Sequence, residues 1–151
     1  MPGMTQGDNA ADGPDAAHQV PDGVDDATVE AVGKLTEALE TTERARGHLY
    51  TFHQLTGSAD LELGEAVALL REAGHGDLAD SIARDLVGRN VLPGRWTFQI
   101  VEDYDDTYWS AFRETERRVR ELLTGGRRHL FEAGMKEDRR THGHPDHTAR
   151  P

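Results

Sequence analysis

Two stretches of this 151-residue chain, roughly 27–57 and 97–124, place apolar side chains at spacings of three, four and seven, the period of an α-helix, and dense glycine punctuation separates them. That pattern leaves little room for a sheet. Val32, Leu35, Leu39, Leu49 and Phe52 form the first stripe, with Ala31, Ala38 and Ala45 beside them. Phe98, Val101, Tyr104, Tyr108, Phe112, Val119 and Leu122 form the second. The first helix is expected to start at an N-cap among Asp25, Asp26 and Thr28 and to stop at Gly57. Arg46 and His53 continue the register of Val32 and Leu39, so its seam turns polar, and Gly33 and Gly47 weaken it locally.

Between the stripes, Leu63, Ala66, Val67 and Leu70 precede Gly74, and Leu78, Ile82 and Leu86 precede Gly88. Two short helices joined by Gly74-His75-Gly76 fit this pattern. The expected architecture is therefore all-α, an antiparallel pair of long helices with an inserted short helical hairpin in a small bundle. Two helices bury little, so either the hairpin or a second copy of the chain is needed to close the bundle. Alternation in Trp96, Phe98 and Ile100 offers a strand reading, but Pro93-Gly94 supplies no partner strand.

Composition sets the boundaries of the folded part. Residues 1–26 hold six aspartates, no basic residue and no aromatic, too little apolar surface to offset the entropy of ordering. Residues 27–124 carry eight of the nine aromatics and a net charge of −7. Residues 125–151 are net positive and offer only Leu130, Phe131 and Met135 for burial. Both ends are expected to be disordered tails around a 27–124 domain.

The overall charge of −11 opposes binding to nucleic acid or anionic lipid. Lack of cysteine removes disulfides, thiolate nucleophiles and cysteine metal sites. The lack of a long apolar run and of a signal pattern leads to the expectation of a cytoplasmic protein. No phosphate loop, His-Glu-x-x-His or Gly-x-Ser-x-Gly pattern is present, and Ser58, Ser81 and Ser110 stand beside no plausible base. No cofactor is expected.

Three constellations remain. Arg89, Asn90, Arg95 and Trp96 precede the last long helix, where unpaired N–H groups favour an anion; the alternative is that the arginines pair with nearby acids. His53 with Glu102, Asp103 and Asp106 would meet at one end of an antiparallel pair and could hold a metal, although the local spacing matches no bundle metal motif. Tyr108, Trp109 and Phe112 belong to an aromatic band that serves as core or as an interface. His142, His144 and His147 chelate only weakly in a flexible tail. The sequence thus favours a non-catalytic interaction or dimerisation module, with a homodimer or a protein partner. A helical-bundle enzyme or sensor taking a small anion or metal beside the 88–96 loop and His53 is the other reading.

Overall fold

A computed structural model describes residues 12–151. The described residues form an all-α small bundle in the order of a short 3-10 turn (Ala16–His18), α1 (Asp26–Glu72), α2 (Gly76–Asp85), α3 (Thr97–Tyr104), a π turn (Asp105–Trp109), α4 (Ser110–Thr124) and α5 (Leu130–Arg139). No helix among them is long and apolar enough to cross a membrane. The chain divides into two compact units. Among the described residues, one combines 12–40 with 112–151, and the other comprises 41–111.

Helix α1 starts where the sequence places an N-cap. Asp25 Oδ1 accepts the Thr28 N–H at 2.8 Å, and hydrogen bonding from Thr28, through its side chain first and its N–H second, holds the Asp25 carboxyl below its ordinary pKa of 3.8. The helix does not stop at Gly57. It runs 47 residues to Glu72, about 70 Å at 1.5 Å per residue, so the expected second helix is its continuation and the separate hairpin reduces to α2 following a turn. The cause is an unbroken seven-residue repeat. Val32, Leu39, Arg46, His53, Asp60 and Val67 occupy one seam position, and Leu35, Thr42, Leu49, Thr56, Leu63 and Leu70 the other. All twelve are buried or half-buried, while most intervening residues are exposed. Continuing the seam outweighs the roughly 1 kcal/mol that each helical glycine costs. Gly74, at φ +93°, ends the helix, and the His75 N–H reaches back to Leu70 O at 2.8 Å.

In the 41–111 unit, α3 and the π turn run antiparallel to α1. His53 meets Thr97, Arg46 meets Asp105 and Glu43 meets Trp109. The strand reading of 96–100 fails because Thr97 begins a helix. The Trp96 N–H donates to Gln99 Oε1 at 2.9 Å, one half of a capping box. Pairing of strand type among the described residues is limited to the isolated bridge Leu92–Arg95 across the Pro93-Gly94 turn.

In the other unit, the 26–40 part of α1 packs with α4 and α5. Thr36 Oγ1 donates to Glu116 Oε1 at 3.1 Å. Glu116 also accepts from Arg120 Nε at 2.9 Å, and Arg120 donates to Gly126 O at 2.7 Å. The C-terminal region, expected to lack structure, carries α5. Leu130 is buried, and Phe131 lies so close to α1 that a β-carbon built at Gly33 would be 2.8 Å from its Cβ. Polar anchoring makes up for the scarcity of apolar residues. The Arg140 side chain is only 1% exposed and bonds Glu137, Asp12 and the His147 carbonyl. Arg127 donates to Gln19 O at 2.6 Å and Arg150 to Gly13 O at 3.0 Å. Those bonds also give residues 12–25, expected to be part of a disordered tail, a defined path; the remainder of that expectation falls on residues 1–11, outside the described residues.

Candidate functional site

The polar residues of the α1 seam raise the first question, because a charge in a helix seam is costly unless paired. Each has a dedicated partner. The Arg46 guanidinium forks onto Asp105, Nε to Oδ1 at 2.7 Å and Nη2 to Oδ2 at 2.9 Å. It also lies over the Trp109 ring at 4.3 Å and near the Tyr50 ring at 5.5 Å. The Trp109 indole N–H donates to Glu43 Oε1 at 2.9 Å. His53 Nδ1 lies 2.7 Å from Thr97 Oγ1, and Asp60 Oδ1 accepts the Gly88 N–H at 2.8 Å.

The π turn lets Asp105 and Trp109 both reach Arg46. Its wider backbone coil is supported by hydroxyls bonding to carbonyls of the same helix, Thr107 to Asp103 O and Ser110 to Asp106 O. Hydrogen bonding to Arg46 holds the Asp105 carboxyl below its ordinary pKa, and the same bond raises that of Arg46. The arrangement fixes a permanent ion pair. It leaves neither partner available as a general acid or base near neutral pH.

The loop before α3 holds its sequence-predicted residues apart from one another chemically. Arg95 Nη1 pairs with Asp103 Oδ2 at 3.0 Å, the alternative weighed from the sequence. Arg89 and Asn90 are exposed, and the Arg89 N–H closes a turn onto Leu86 O at 3.1 Å. Trp96 is 56% exposed and leans on Phe98 with ring centroids 5.4 Å apart. Val91 and Leu92 are exposed as well. The passage therefore presents an apolar knob more than an anion cradle.

The structure does not gather His53, Glu102, Asp103 and Asp106 into a metal-binding group. Among the described residues, such a convergence is formed instead by Glu40, His129 and Glu132, which the sequence reading did not single out because they lie 89 and 92 positions apart from α1 to α5. In the aromatic band, Tyr108 is exposed and its ring lies tilted against that of Tyr104, with centroids 5.7 Å apart. Trp109 and Phe112 are half-buried, and Trp109 is turned towards Arg46 and Glu43. Ser58 and Ser110 hydroxyls donate to carbonyls of their own helices, which gives them no base to activate them.

An open groove of about 680 Å³ in the unit that contains α5 is lined by the apolar Val29, Leu130, Phe131 and Met135 together with the acidic Asp26, Glu30 and Asp138. No nucleophile and base meet there. No protein-family model, curated protein or solved structure matches the chain.

Proposed function

We propose that this protein is a non-catalytic helical interaction module that associates with a second copy of itself through the apolar surface of its 41–111 unit. One observation carries the reading. The buried apolar side chains of the described residues are Val29, Val32, Val67, Ala79, Val101 and Leu130, and no aromatic side chain is among them. Large apolar groups stand in water instead. Leu61 is 74% exposed, Leu69 64% and Leu55 63%, in addition to the knob formed by Leu92, Trp96 and Phe98. Single exposed leucines are ordinary, but aromatic and aliphatic groups concentrated at one loop are the composition of interface cores. Arg46, His53 and Asp60 are already paired within the chain to Asp105, Thr97 and Gly88, so the association rests on the exposed apolar groups and not on the polar seam.

The anion reading has less support, since Arg95 is committed to Asp103 and His53 to Thr97. Light scattering and sedimentation of the full chain across micromolar concentrations test the proposal. A dimer that Leu92→Glu with Trp96→Glu converts to monomer supports it. A wild-type chain that stays monomeric at those concentrations overturns it.

A further inference from the structure

We infer that Glu40, His129 and Glu132 form a binding site for a divalent transition cation of the zinc class, a site that ties α5 to α1. One carboxylate oxygen from each glutamate and one imidazole nitrogen all lie within 4.8 Å of one another. Ligands around a four-coordinate ion with bonds of about 2.0–2.2 Å stand roughly 3.4 Å apart, so rotation of exposed side chains closes the set without moving the backbone. The three positions belong to the same compact unit.

Three further observations separate this trio from a chance group of surface acids. First, an imidazole stands among the donors, and a nitrogen with two carboxylate oxygens suits zinc, cobalt or manganese better than the all-oxygen sets favoured by calcium and magnesium. Second, none of the three side chains has a hydrogen bond or ion pair among the described residues, although cations are near in sequence. Lys34 is held by Glu37, and Arg127 by Gln19 O. Two carboxylates thus converge with no positive partner between them. Third, His129 is the N-cap of α5, held in the left-handed backbone region, and Glu132 lies in the first turn of that helix, while Glu40 meets them from α1. The donors come from two elements, so the ion stabilises the docked arrangement that assembles them and has no comparable site in an unfolded chain.

The histidines of the C-terminal segment are the competing ligands. His142 lies between Asp12 and Glu137, and His144 and His147 each accept a backbone N–H on Nδ1. Titration calorimetry of Zn²⁺ into the chelator-treated full chain, in a buffer that does not bind metal, distinguishes the two sources. One ion per chain is expected. Glu40→Gln and His129→Asn should each weaken binding about tenfold or more, asparagine being chosen because it tolerates the left-handed backbone of residue 129, φ +57°. Zn²⁺ should also raise the melting temperature of the wild type and leave that of both variants in place. If His129→Asn does not fold by circular dichroism, Glu132→Gln takes its place. Absence of binding up to millimolar Zn²⁺ overturns the inference. So does wild-type affinity in Glu40→Gln, which would assign the metal to the C-terminal histidines.

Discussion

The contact between Gly33 and Phe131 yields a prediction whose sign depends on tertiary structure. Gly33 lies inside α1, where alanine is favoured over glycine by about 0.8–1 kcal/mol when nothing is near. Here the alanine β-carbon would fall 2.8 Å from Phe131 Cβ and 3.1 Å from its Cγ. The first atom is at the root of the side chain, so rotation about the Phe131 Cα–Cβ bond relieves only the second contact, and α5 itself must shift. Overpacking of this kind costs about 1–3 kcal/mol. The net effect of Gly33→Ala is therefore from about zero to 2 kcal/mol of destabilisation. Phe131→Gly removes both clashing atoms, and in that background the same substitution should stabilise the chain by the full helix preference of about 1 kcal/mol. Urea denaturation followed by circular dichroism at 222 nm measures all four members of the cycle. The coupling between the sites should be at least about 1 kcal/mol. If Gly33→Ala stabilises both backgrounds equally, α5 does not dock against Gly33 and the account of this unit is wrong.

Arg46→Ala should cost about 2 kcal/mol, because it leaves the half-buried Asp105 carboxylate without its forked donor, and should change Trp109 fluorescence; an unaltered denaturation midpoint would refute the pairing. Acid should destabilise the protein through Asp105. Its folded pKa lies below the ordinary 3.8, so its contribution is fully present above the unfolded value and is lost as pH falls through the folded one. Asp105→Asn should flatten that part of a stability profile recorded between pH 5 and 2, and an unchanged slope would contradict it. Arg140→Leu should free the C-terminal segment and residues 12–20 together, because it removes the bonds to Asp12, Glu137 and His147. Amide exchange in both segments should quicken while 41–111 stays protected. Faster exchange in only one of them would argue against a shared anchor.

Much of the fold was written in local pattern. The stripe from Val32 to Leu39 and that from Phe98 to Val119 specify helices because their period is 3.6 residues, and Asp25 and Gly74 mark helix ends through a side-chain acceptor and a positive φ that depend only on nearby residues. The pattern even extended through Arg46 and His53, whose register pointed to a polar seam. Local reasoning failed where long-range packing overrode it. Gly57 has the composition of a stop, yet the seam on both sides of it holds it in helix. Leu130, Phe131 and Met135 are too few to predict a folded segment, and what orders α5 is a close approach at Gly33 and arginines bonded to distant carbonyls.

The candidate sites divide in the same way. Arg95, Asp103 and the adjacent acids could be seen as possible partners from the sequence, but whether Arg95 faced an anion or Asp103 depended on the turn at Pro93-Gly94. Asp105 was one acid among four until the π turn aimed it at Arg46. Glu40, His129 and Glu132 had no sequence signature at all, since no local spacing brings α1 to the start of α5. The sequence alone determined helicity, charge and the absence of cysteine chemistry, because these are properties of neighbouring or summed residues. Which charges are paired, which aromatics remain in water and which donors converge were decided only by the tertiary structure, because each depends on residues brought together from distant parts of the chain.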